Sequence, residues 1–371
     1  MNNRDRSLAI LRYQNYDKMP VVHFGYWRDT IAKWSDEGHI EKGLDKEWGD
    51  GNEVDTYISD KLGFDFNWYN TFTPRLGLLP SFERVILEEK SDGTRIVQNW
   101  DGVIVVEKEG VSSISSEIDH TLKDRASWEE KYLPKLRFSM DRINFDKLNA
   151  LPSVEERDRP LGLHAGSYYG HFRNYAGVVG SSYMVADDED LYVEIIETIA
   201  DMQYMTTKTV LETGVKFDFG HFWEDICFKN GPLVSPGIFD EIVGPHYKKM
   251  TALFKKHEID IVSLDCDGKI DALIPTWLEN GVNTMFPIEV GTWNASIKPW
   301  REEYGSDIRG VGGMDKVVFS RDYKAVDDEI ERLRPLIELG GYIPCPDHRI
   351  APDAKWENIQ YYCDKMKKAF G

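Results

Sequence analysis

Short apolar segments recur along the whole chain, each closed by turn or helix signals, and eight of them read as β-strands. They are Met19–Phe24, Gly63–Asn67, Pro160–Ala165, Lys216–His221, Ile259–Asp265, Val282–Ile288, Ile308–Gly312 and Gly341–Cys345. Several are nearly continuous in apolar residues, as strands covered by helices on both faces should be. Helical spacing separates the later ones. Leu191, Ile195, Ile199 and Met202 mark a helix from Asp190 to Thr213, with Gly214 as its stop. Ser235-Pro236 opens another that runs toward Lys256. Further helices are expected around Ile270–Leu278, over Ala325–Leu339 with a bend at Pro335, and over Trp356–Ala369. Alternating strands and helices imply a parallel sheet, and eight such units close into a (β/α)8 TIM barrel of the α/β class. The stretch 84–108 breaks the rhythm: Val85-Ile-Leu and Arg95-Ile-Val flank Ser91-Asp-Gly-Thr, a β-hairpin signal read as an insertion after the second strand. With no internal repeat or low-complexity linker, residues 1–371 are expected to form one domain.

Composition narrows the class. The chain has 371 residues, 41% of them hydrophobic, with a formal net charge of −19. Nucleic acid would be repelled by that charge, and so would a heavily carboxylated substrate, since no arginine cluster offsets it. No apolar run reaches membrane-spanning length, and the charged opening is not followed by the apolar stretch of a secretory signal. The four cysteines, Cys227, Cys266, Cys345 and Cys363, are scattered without a C-x-x-C pair, so a reducing cytoplasm is the expected compartment.

In a barrel, chemistry sits where strands end and loops begin. Those positions hold His23 and Trp27; Asn67 and Trp68; His164 with Tyr168, Tyr169 and His171; His221, Trp223, Glu224 and Asp225; Asp265 and Asp267; Glu289; Asp315; and Asp347 with His348. Asp265 and Asp267 share one face of a strand while Cys266 turns away, so each carboxylate raises the other's pKa and one becomes a proton donor; alternatively, one of them caps a helix beginning near Gly268. His221 and Glu224 suit a divalent metal, an acid/base pair or a loop hydrogen bond. Trp27, Trp68, Trp223, Trp293 and Trp300 either wall a flat pocket or pack loops. There is no dinucleotide fingerprint, phosphate loop or nucleophile elbow.

The stretches Trp223–Pro236, Asp265-Cys-Asp-Gly268, Leu278–Glu289 and Gly341–Pro352, with the opening Met19-Pro-Val-Val-His, resemble the uroporphyrinogen decarboxylase superfamily. The resemblance covers nearly the whole chain and implies the same barrel. It also implies either porphyrinogen decarboxylation or corrinoid-dependent methyl transfer. The arginine-rich loop that grips porphyrinogen carboxylates is reduced here to Arg28 and Lys33. The zinc pattern His-x-Cys with a distant Cys, which marks the coenzyme M methyltransferases, is replaced by Asp265-Cys266-Asp267 and His348. The branch so implied moves a methyl group from a small methylated substrate, a methyl ether (possibly aromatic, as in an O-demethylase) or a quaternary amine, to a corrinoid. With no D-x-H-x-x-G stretch, the corrinoid is expected on a separate protein. Asp265, Asp267, His348 and Glu224 are the expected catalytic residues, and His164, Trp27, Trp68 and Tyr169 the expected pocket lining. His221, Glu224, Asp265 and His348 are candidate ligands for Zn2+ or another hard-ligand metal site. The family likeness also suggests a homodimer. Glu224, Asp265 and His348 should therefore converge on one rim. The competing readings are a cofactor-independent decarboxylase of a small carboxylic acid, and a non-catalytic binding protein.

Overall fold

A computed structural model describes residues 1–108 and 116–371. All eight expected strands form: Val22–His23, Phe66–Asn67, Gly162–His164, Phe219–Trp223, Val262–Asp265, Thr284–Phe286, Arg309–Met314 and Tyr342–Pro346. Each pairs in parallel with its successor, except that the second strand is split. Phe66–Asn67 pairs with the first strand, and Thr71–Phe72 carries the ladder on to the third. Past the eighth strand, a parallel bridge between Tyr26 and Ile350 closes the cylinder, with Ile350 N–H on the Gly25 carbonyl at 3.0 Å.

The split has a local cause. Asn67 Oδ1 accepts the Tyr69 N–H at 2.9 Å, a side-chain turn that replaces the ladder for a few residues. It also breaks the alternation of faces, which later decides which aromatic residue reaches the mouth.

Alternation elsewhere is regular. In the fourth strand, Gly220 and Phe222 face the helix Gly244–Lys256, where Phe254 lies so close that a Cβ on Gly220 would stand 2.4 Å from its ring. Phe219 and His221 face inward, against Trp68 and Tyr69. A single apolar cluster runs through barrel and helices; each large side chain it buries contributes about 1.5–3 kcal/mol.

The insertion after the second strand is larger than a hairpin. The Ser91–Thr94 turn joins the first two of four antiparallel strands: Val85–Glu89, Thr94–Gln98, Val103–Lys108 and Ser116–His120. Its separate small core is Val97, Val103 and Val105. The expected helices form at Glu189–Glu212, Gly244–Lys256, Tyr323–Ile337 (with Pro335 inside) and Trp356–Phe370. The one around Ile270 is shortened to Ile274–Glu279. A further helix, Tyr169–Asp187, begins where the sequence suggested a mouth loop. Among the described residues no helix is long and apolar enough to cross a membrane.

Candidate active site at the barrel mouth

Asp265 ends the fifth strand with its carboxyl inside the barrel, 5% exposed. Its Oδ2 accepts a hydrogen bond from the Tyr69 hydroxyl, which reaches across from the second strand. Burial, and next the charge of Asp267, push the Asp265 carboxyl well above the usual carboxylate range, while the Tyr69 hydrogen bond partly offsets them. Burial therefore favours the neutral, protonated form of Asp265 over the charged one.

Asp267, two residues on, also faces the mouth. Its Oδ2 lies 3.3 Å from His348 Nε2, and its buried Oδ1 has no partner among the described residues. Neither aspartate caps a helix. The Gly268 N–H goes to Glu289 Oε2 at 2.5 Å, and the next helix starts only at Ile274. Gly268 is required here: φ is +84°, and a Cβ would stand 2.3 Å from the Cys227 carbonyl oxygen. Asp267 is surrounded by carboxyl groups. Burial and then its charge also raise the pKa of Asp225 and of Glu289.

His348 is aimed by its neighbour. Asp347 turns outward and accepts the Val290 and Gly291 N–H groups at 2.9 and 2.8 Å and the Lys316 N–H at 3.2 Å, tying together the loops after the sixth, seventh and eighth strands. His348 then lies over the mouth, stacked on Trp27 with centroids 5.6 Å apart and tilted against Phe24 at the same distance. Phe24 in turn stacks on Tyr69 at 5.3 Å. Arg349 lies behind Phe24 and Tyr69, held by Asp50 through two bonds of 2.9 and 2.8 Å.

Deeper in the barrel, His164 and His221 contact edge to face at 5.5 Å. Gly166 N–H donates to His164 Nδ1 at 3.0 Å. Burial lowers the His164 pKa to about 4, and burial together with the His164 charge takes His221 well below its ordinary value. Both imidazoles are neutral. His221 Nδ1 lies 3.3 Å from Ser263 Oγ, while its buried Nε2 has no partner among the described residues.

The structure thus brings together Asp265, Asp267, His348, Trp27, His164 and His221, but other expected site residues lie elsewhere. Glu224 points out of the barrel. Its carboxyl accepts the Tyr168 N–H at 2.9 Å, the Gly170 N–H at 2.6 Å, the Ser167 hydroxyl at 3.1 Å and the Tyr247 hydroxyl, anchoring the start of the helix Tyr169–Asp187. The reason is parity: in a strand, residues three apart face opposite sides, so His221 inside places Glu224 outside. Tyr169 is likewise in the helix layer, against Tyr192 and Phe239. Trp68 is 1% exposed and stacks on Phe219 at 4.6 Å, low in the barrel core, because the turn at Asn67 gives the mouth to Tyr69 instead. His23 faces outward onto Ser59 at 2.7 Å. Trp293 and Trp300 pair with each other, and Trp300 bonds Asp271 at 2.7 Å, as loop packing. With Glu224 turned away, the candidate metal ligands do not assemble. Among the described residues no three His, Cys, Asp or Glu side chains are placed to share an ion, so His221, Glu224, Asp265 and His348 do not form a zinc site in this arrangement.

Comparison with known proteins places the fold. No curated protein matches the chain. A methyltransferase from Methanosarcina mazei superposes with a TM-score of 0.59 at 14% identity, over 100% of this chain and 99% of that one. A protein from Listeria monocytogenes described as a vitamin-B12 independent methionine synthase gives a weaker likeness, TM-score 0.46 at 11% identity, over 96% of this chain and 100% of that one. The family model described as uroporphyrinogen decarboxylase (URO-D) matches residues 177–369, a span that carries the fourth to eighth strands with Asp265, Asp267 and His348. The chain belongs to the uroporphyrinogen decarboxylase (URO-D) family.

Proposed function

We propose that this protein is a methyltransferase of a corrinoid-dependent demethylase system, acting on a small substrate that carries a methyl group on oxygen or nitrogen. The observation that carries this reading is Asp265: a buried carboxyl whose pKa burial raises, bonded to Tyr69, at the base of a mouth walled by Phe24, Trp27 and His348. Removing methyl from a heteroatom leaves a basic atom behind, and a positioned acid of raised pKa protonates it as the bond breaks. The aromatic wall orients the substrate and excludes water. A reduced cobalt(I) corrinoid on a separate protein supplies the nucleophile that takes the methyl group. The likeness to the Methanosarcina methyltransferase supports the same reaction class.

Decarboxylation of a small acid would need a free cation in the mouth. Arg28 bonds the carbonyls of Asp45 and Trp48, Arg173 the Asp225 carbonyl, and Arg349 the Asp50 carboxylate. The test is to mix the protein with reduced corrinoid protein and a panel of methyl ethers and methylammonium compounds, following methylcobalamin by absorbance. Methylcobalamin should appear with at least one of them. Its absence across the panel, with CO2 released from a carboxylic acid instead, would sink the reading.

A further inference from the structure

We infer that the methyl donor is a cation, a small methylated ammonium ion held between the aromatic rings and the carboxyl groups of the mouth. The inference rests on the methyl-transfer reading and names its substrate class.

Asp267 lies among three carboxyl groups: its charge acts on Asp225, Asp265 and Glu289, and the charge of Asp225 acts on Asp265 as well. Arg173 pairs with Asp225 at 3.9 Å and Arg349 is bound bidentately by Asp50, so among the described residues Asp267 faces His348 rather than an arginine. A second and independent observation points to a missing guest. His221 is completely buried inside the barrel, its ring 4.9 Å from that of Tyr69, and its Nε2 has no partner among the described residues. Asp267 Oδ1 is equally unpartnered. Buried polar atoms are mostly satisfied in folded proteins, so two orphans at this one end of the barrel are places where a guest can complete the site. An ionised carboxylate oxygen accepts only, so its guest carries positive charge or a donor.

The rings complete the case. Phe24 stacks on Tyr69 and Trp27 on His348 at this end of the barrel, and an aromatic face attracts an alkylated ammonium through its quadrupole, by about 0.5–2 kcal/mol. A neutral ether would use the rings and leave the charge unanswered. An anion would meet repulsion. In the reaction the N–CH3 bond breaks, the methyl passes to the cobalt(I) corrinoid, and the Asp265 proton forms the new N–H bond. The leaving amine remains a cation beside the aspartate that protonated it, and total charge is conserved.

The test is calorimetric titration, in chelator-containing buffer, with choline and with its uncharged isostere 3,3-dimethylbutan-1-ol, plus anisole as a neutral methyl ether. Choline should bind at least tenfold more tightly than either neutral compound, and the preference should shrink with added salt. Asp267→Asn, close to isosteric, should reduce choline affinity several-fold and leave the neutral isostere unchanged. Trp27→Leu, at the rim, serves as the second variant and should also weaken choline selectively. Equal or tighter binding of the neutral compounds overturns the inference, as does a choline affinity unmoved by Asp267→Asn. Choline that binds selectively without yielding methylcobalamin, while no other methylated compound yields it either, would sink the methyl-transfer reading and leave only the cation site standing. Ethers demethylated in preference to ammonium ions would do the reverse.

Discussion

The Tyr69 hydroxyl and the Asp265 carboxyl meet across the barrel, joining the second strand to the fifth above the neutral pair His164 and His221. Tyr69 donates, so it favours the charged form of Asp265 and holds its raised pKa below what burial and Asp267 alone would produce. Removing the hydroxyl should raise that pKa further. For an acid that must be protonated to act, the rate falls as pH rises through its pKa. Tyr69→Phe should therefore move the alkaline limb of the kcat profile to higher pH. A limb that stays in place, or moves down, would separate Tyr69 from the proton donor.

Glu224 gives a contrasting prediction, because its partners are all structural. Glu224→Ala leaves the Tyr168 and Gly170 N–H groups and the Ser167 and Tyr247 hydroxyls without an acceptor. The expected loss is about 3 kcal/mol or more, measured by urea unfolding. Glu224→Gln should keep the wild-type kcat per folded molecule. A kcat collapse in a stably folded Glu224→Gln protein would return this residue to the chemistry.

The fold was largely legible because it follows from periodicity: the eight apolar segments and the four principal later helices lie where the pattern put them. The site was legible where parity was simple, at Asp265 and Asp267 flanking Cys266 and at His348 after the last strand. It failed where a local event changed the parity. The Asn67 side-chain turn exchanged Trp68 for Tyr69, and only the Asn at that strand end hinted at it. Tyr169 was misplaced because the helix starts at that residue, so its side chain joins the helix layer. Glu224 could have been excluded from spacing alone, since an odd offset from His221 within an extended segment changes the face. The Arg349–Asp50 pair joins residues far apart in sequence, and no local pattern announces it.

A buried acid outside the mouth makes a pH prediction of defined sign. Burial pushes the Asp55 carboxyl up to about 6, despite hydrogen bonds from Trp48, Gly51 and Asn67. A raised acid pKa favours the folded state below the unfolded value, and that advantage disappears as pH rises through the folded one. The stability difference between wild type and Asp55→Asn should thus shift by roughly 3 kcal/mol between pH 4 and pH 7, to the disadvantage of the wild type. A pH-independent difference in urea unfolding would contradict the assignment.

Gly312 carries the tightest backbone approach at the mouth. Its φ is +131°, and a Cβ there would stand 1.5 Å from the Pro287 carbonyl oxygen. The seventh strand must therefore part from the end of the sixth in Gly312→Ala, disturbing Glu289 two residues beyond Pro287. Loss of thermal stability together with weakened substrate binding is expected. A variant as stable as wild type would show that the loop moves freely.

The most direct test is single-turnover methyl transfer to reduced corrinoid protein, followed as methylcobalamin absorbance across pH, for wild type and Asp265→Asn. Wild type should transfer methyl with a rate that declines as Asp265 loses its proton at high pH. Asp265→Asn should be slower by about 10²- to 10⁴-fold and lack that decline. Equal rates and the same pH dependence in both proteins would contradict a proton-donating role for Asp265.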